Sequence, residues 1–257
     1  MTVAPTSPGL KLTNAELLCA LRRRLGNPVL AFPGRCEGCR RPLDAQGHHR
    51  TTCPRTGRNH ALRRTLVGLW RQVFVETGGT VPRRNVERML RNTNVPTDPG
   101  CNLRLDLVVP GLGVERGLPL FCDATCVSPL TGRGESRRGS QERDGSVLEY
   151  ARRDNAETYA AVPRSGVGSL LCLSVETFGR WGEDCLRILL ALAAQRAEGL
   201  PALVRTGVAM RLLTRWWGLL AVGVQRAVAT AALRDVGHDL VGAPLEVGPA
   251  AFELPAQ

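Results

Sequence analysis

The sequence predicts an α/β chain: a mixed sheet flanked by helices, with a cysteine- and histidine-rich knuckle ahead of it and further helices behind it. Three observations predict this. Apolar runs at residues 103–110, 118–128 and 170–175 have strand length and carry turn residues beside them. Longer stretches place apolar residues three and four apart, the period of a helix packed on one side. Cysteine and histidine cluster between Arg35 and Pro54.

Composition bounds the partners and the compartment. The 257 residues are 43% hydrophobic, enough for a core, but only 4% aromatic, so the core must rest on Leu, Val and Ala. The net charge is +11, and every basic residue except Lys11 is arginine. A basic, arginine-rich surface favours phosphate-bearing partners, and nucleic acid is the expected one. A GC-rich coding bias would explain arginine in place of lysine, but not the positive excess. The N-terminus lacks the apolar segment of a secretory signal, and nine cysteines are an odd number for a disulfide framework. Both point to a reducing, intracellular compartment, nuclear or cytoplasmic.

In chain order, residues 1–9 read as a loose tail. Thr13 and Glu16 form a capping-box pattern, and Leu17, Leu18, Leu21 and Leu25 then predict a helix with Arg22, Arg23 and Arg24 on its exposed side. Cys36-x2-Cys39-x9-His49-x3-Cys53 has the ligand types and spacing of a structural zinc site. Thiolate and imidazole are soft enough to select zinc over magnesium. His48 stands beside His49, and either ring could complete the set. Residues 60–77 predict an amphipathic helix with Leu62, Leu66, Leu69, Trp70, Val73 and Phe74 inward and Arg58, Arg63, Arg64 and Arg71 mostly opposite. Residues 80–90 read as an extended edge, and 92–100 as a loop.

Next comes a hairpin whose two apolar runs each carry one acid, Asp106 and Asp123, with turn chemistry at residues 110–117. Two carboxylates on neighbouring strands can share one hard cation such as Mg2+, which keeps waters for its remaining positions. A cation so held can activate water and stabilise charge on a phosphate. The competing reading is two surface acids at strand ends.

Residues 130–145, rich in Gly and Arg, read as a mobile loop. Ser146 and Glu149 suggest a second capping box, opening a helix with Leu148, Arg152, Asn155 and Tyr159 on one face, stopped by Pro163 and Gly166. The buried strand at 170–175 leads into Glu176, either a third acid at the metal or a structural acid paired with an arginine. A helix at 183–198 is expected to turn Leu186, Leu189, Leu190 and Ala193 inward. A long helix from 204 to 234 follows, with Trp216 and Trp217 as packing anchors and Gly218 or Gly223 as a possible kink. Its apolar run at 212–224 is too short to span a bilayer and reads as buried. The tail from Gly237 reads as loose.

Several of these blocks together resemble a known family. They are Asp123-Ala-Thr-Cys-Val-Ser-Pro-Leu, the Arg/Gly loop at 131–144, the helix Ala151-Arg-Arg-Asp-Asn-Ala-Glu-Thr-Tyr159, and Leu173-Ser-Val-Glu-Thr-Phe-Gly-Arg-Trp-Gly182. In this order they resemble the region downstream of the reverse transcriptase in non-LTR retrotransposons that carry a restriction-enzyme-like endonuclease, the algal and dinoflagellate copies especially. The similarity runs from about Leu12 to Arg234.

That resemblance implies a PD-(D/E)XK, restriction-endonuclease-like core with Asp106 and Asp123 as its acids, and favours His49 over His48 as the zinc ligand. It divides the chain into a tail and helix (1–34), a CCHC zinc knuckle (35–56), an endonuclease-like core (57–200) and a C-terminal helix with a loose tail (201–257). It also exposes a departure. The lysine of this class would stand at Thr125 or, on the helix, at Asn155, and neither is lysine. Arg152 supplies a nearby charge, but a guanidinium does not give up its proton as an ammonium can. The expected function is therefore a metal-dependent DNA endonuclease, impaired by the missing lysine. The alternative is a non-catalytic, zinc-stabilised nucleic-acid-binding module.

Overall fold

The computed structural model describes residues 8–30, 34–82 and 105–233. The two tails, most of the extended edge (from residue 83) and the loop at 92–100 lie outside the described residues.

Helix α1 (Asn14–Arg24) opens with the expected capping box: Glu16 accepts the Thr13 backbone N–H at 2.8 Å, and Thr13 accepts the Glu16 N–H at 3.3 Å. Its buried face is not the expected one. Arg22 and Arg23 are each 3% exposed, whereas Leu17 and Leu21 face solvent. The arginines go inward because backbone carbonyls await them. Arg22 donates to Pro28 O, and Arg23 donates to Gln46 O and Gly47 O.

The short α2 (His48–Thr52) follows the cysteine turn, and α3 (Arg58–Glu76) buries Leu62, Leu66, Trp70, Val73 and Phe74 as the periodicity predicts. The sheet has three strands in the order β1 (Leu107–Val109), β2 (Leu120–Val127), β3 (Ser169–Glu176). β1 and β2 are antiparallel, joined across the expected turn, and β2 and β3 are parallel. The parallel pair requires a crossover, and α4 (Ser146–Thr158) with the short α5 (Ala161–Ser165) supplies it. The proposed capping box at Ser146 does not form. Gly145, in a left-handed conformation at φ 76°, holds the N-cap with no side-chain bond. Pro163 lies within α5, after α4 has already ended.

Alternation along the strands sorts the two faces. Leu107, Val109, Leu120, Cys122, Ala124, Leu171 and Leu173 pack against α3, α6 (Glu183–Glu198) and α7 (Ala202–Leu233) in the main core. Val108, Phe121 and Leu170 pack on the other face with Tyr159 and Val162. In α6, Ile188, Leu189, Leu192 and Ala193 are inward, while Leu186 and Leu190 are exposed, contrary to expectation.

By length and composition α7 could cross a membrane, but Trp216, Leu220, Val224 and Val228 are buried in the same core as Leu66 and Trp70. Residues 202–233 thus share one core with the segment that precedes them. Gly223 permits the close approach of α7 to α3: a Cβ there would stand 2.6 Å from Leu69 Cδ1. At the other end of α3, Glu76 accepts the Trp216 indole N–H at 2.9 Å and two Arg215 N–H groups. The chain is therefore a mixed α/β protein with a three-stranded mixed sheet between helical layers. Two of the three extended segments expected ahead of α4 are strands among the described residues.

Candidate functional site

The β1–β2 register pairs Leu107 with Cys122. The ladder stops there: Asp106 is a bend just before β1, and its N–H donates to Cys122 O at 3.0 Å, beside Asp123 of β2. Strand alternation puts Asp123 on the face of Phe121, the face that α4 covers. Both carboxylates lie within reach of one side chain, and like charges so placed repel. The sequence therefore builds a carboxylate pair that requires a cation.

The cation present is Arg63. From α3 its Nε donates to Asp106 at 2.8 Å and its Nη2 to Asp123 at 2.5 Å. One guanidinium edge thus spans both acids, and the two charges raise its pKa against the opposing effect of burial. Asp106 also accepts the Ala124 N–H at 2.9 Å. Burial pushes the Asp123 carboxyl up to about 6; Arg63 opposes this, Asp106 adds to it, and Asn155 and Tyr159 favour the ionised form. Tyr159 is in turn raised to about 12, by burial first and then by Asp123.

Asp123 and Arg63 line a cleft of about 1430 Å³. The basic residues on its walls are Arg137, Arg138 and Arg153, and Tyr150 stands exposed beside them. The loop expected to be mobile forms one wall. It is built of hydrogen-bonded turns, with Thr131 N–H to Glu135 O at 2.7 Å and Arg137 N–H to Pro129 O at 2.8 Å. Asn155, at the predicted lysine position, also lines the cleft; it is 5% exposed and stands beside Asp123.

Two predicted site residues lie elsewhere. Arg152 is drawn to the start of α6, 2.7 Å from Glu183 and 3.4 Å from Asp184, so it supplies no charge at the acid pair. Glu176 ends β3 opposite Val127, four positions beyond Cys172, the partner of Asp123. At about 3.3 Å per residue that is roughly 13 Å away. Its neighbour is Arg180 at 3.9 Å, the structural pairing, and burial raises its pKa. Lys11 is not among the cleft-lining residues.

The second cluster is the knuckle. Sγ of Cys36, Cys39 and Cys53 and a ring nitrogen of His49 all lie within 4.8 Å of one another and could hold a metal such as zinc. Cys36 and Cys53 Sγ are 3.7 Å apart, close to the roughly 3.8 Å edge of a tetrahedron with 2.3 Å metal–sulfur bonds. Cys39 Sγ lies 3.1 Å from His49 Nε2. Burial alone would raise the Cys36 thiol, but the backbone N–H groups of Cys39 and Gly38, with His49 and Cys39 beside it, bring it down to about 6. Asp44 aims α2 by accepting the His48 and His49 N–H groups at 2.8 and 2.7 Å. His48 turns away and meets Phe178 edge-on at 6.0 Å. The knuckle borders the cleft directly: Thr51 and Thr52 of α2 line it, and a Cβ on Gly132 would lie 3.1 Å from His49 Nδ1.

Sequence reasoning missed Arg63 as a site residue. The available signal was its place beside Leu62, at the margin of the α3 apolar stripe, where a long side chain can reach past the sheet edge. No family model matches the chain, and no curated protein or solved structure matches it significantly. The likeness to retrotransposon endonuclease regions rests on the sequence motifs.

Proposed function

We propose that this chain is a nucleic-acid-binding domain of the retrotransposon endonuclease type, whose Asp106 and Asp123 hold a divalent cation for phosphodiester hydrolysis. The observation that carries this reading is the convergence of both acids on one cation, Arg63, which with Asp123 lines a cleft that also carries Arg137, Arg138 and Arg153. Two oxygen donors suit a hard cation such as Mg2+ or Mn2+. Bound there, such a cation would supply Lewis acidity toward a phosphate oxygen and acidify a coordinated water.

The protein's own groups do the rest. Arg137, Arg138 and Arg153 hold the phosphodiester backbone. Asn155 and Tyr159 keep Asp123 oriented and favour its charged form. Cys36, Cys39, His49 and Cys53 would hold a zinc ion, which with four protein ligands would be structural and would brace α2 as a wall of the cleft.

One observation favours the second reading, a nucleic-acid-binding module without catalysis. No lysine is available at Thr125 or Asn155, and loss of one charge stabiliser typically costs about 10²–10³ in rate. A plasmid-nicking assay with Mn2+ separates the two. Cleavage by the parent that Asp123→Ala abolishes and Asn155→Lys raises supports the nuclease; equal background in all three leaves only the binding module.

A further inference from the structure

The acid pair satisfies its charge with a side chain from its own fold. Arg63 takes one oxygen of each carboxylate, and Asp106 gives the same oxygen to Ala124 N–H. A divalent cation seated between the carboxylates would compete for the same two charges and would repel the guanidinium beside it. Occupation by Arg63 and by a metal therefore exclude each other.

Arg63 is not locked in place. Its side chain is 40% exposed, against 18% and 14% for Asp106 and Asp123, and it lines the cleft. A guanidinium cannot lose its proton to vacate the site, so it leaves only for another anion. Phosphate is a good one, since it accepts the same bidentate pattern as a carboxylate. The cleft also carries Arg137, Arg138 and Arg153 on its walls, which would bring a phosphate backbone within reach of Arg63.

We propose that Arg63 is a resident counter-ion that keeps divalent cations out until a nucleic-acid phosphate draws it off the acid pair. This rests on the metal-binding reading above and adds an order to it: nucleic acid first, cation second. Arg63 is thus a positioning residue that links the two ligands. The coupling is reciprocal, so cation binding tightens nucleic-acid binding by the same factor.

The test is Mn2+ binding to the full chain, followed by electron paramagnetic resonance, with and without a short phosphorothioate oligothymidylate. Asp123→Asn measures the Mn2+ that the oligonucleotide binds by itself. After that correction, the parent should bind Mn2+ about tenfold or more tightly when the oligonucleotide is present. Arg63→Met should bind Mn2+ more tightly than the parent without it, and should show a smaller coupling factor. Parent and Arg63→Met with equal affinity and equal coupling would overturn the inference and leave the metal site standing. No saturable Mn2+ binding in either protein, with or without oligonucleotide, would overturn both. The parent's coupling needs no variant, so its absence counts against the inference even if Arg63→Met fails to fold.

Discussion

Asp106, in the bend before β1, and Asp123, within β2, share a single guanidinium. The hairpin brings the chain before β1 back beside β2, and the Arg63 guanidinium lies between the two carboxylates.

The Asp123 carboxyl makes stability depend on pH. Its folded pKa, about 6, lies above the unfolded value near 3.9. The folded state then binds more protons between those values, so stability falls as pH rises from about 4 to about 6 and is level above. Urea midpoints should show Asp123→Asn gaining on the parent across that window, by on the order of 1–3 kcal/mol. A constant difference from pH 4 to 7 would contradict it.

Glu76 acts in the opposite sense. Arg215, foremost, with Gln72 and Trp216, holds its carboxyl down to about 2 despite partial burial. Its contribution is present above the unfolded pKa near 4.3 and is lost as pH falls through about 2. Glu76→Gln should cost about 1–3 kcal/mol at neutral pH, and the gap should narrow steadily in acid. Thermal melts of the two proteins at several pH values measure this.

The knuckle predicts which histidine binds metal. Elemental analysis should find one zinc per chain in the parent and in His48→Ala, and less in His49→Ala or Cys53→Ser. Chelation should lower the melting temperature of the first two, because metal binding contributes to folding. Retained stoichiometric zinc in His49→Ala would refute the ligand set.

The cleft arginines predict a salt signature. Replacing Arg137 or Arg153 with Gln should weaken oligonucleotide binding across all sequences and flatten the slope of log affinity against log salt by about 0.7–0.9 per lost contact. An unchanged slope would place the nucleic acid elsewhere.

Much of this was legible locally. The Thr13–Glu16 box, the α3 stripe, the β1–β2 turn and the Cys-x2-Cys spacing are short-range patterns, and each appears where the sequence placed it. Asp106 and Asp123 were legible as neighbours because a hairpin turn folds the chain at the start of β1 back beside β2. What was not legible depended on distant partners. Arg23 is buried because Gly47 O and the Phe178 ring receive it, and neither is near it in sequence. Arg152 turns from the acids because Glu183 and Asp184 start α6 beside it. Arg63 looked like one more surface arginine until the sheet placed two carboxylates within its reach.

The most direct test is a crystal of the chain with Mn2+ and a short phosphorothioate oligonucleotide, read by anomalous scattering. An anomalous peak between the Asp106 and Asp123 carboxylates, with Arg63 moved onto a backbone phosphate, is the predicted result. Arg63 still bridging both acids, with no peak between them at saturating Mn2+, would contradict the account.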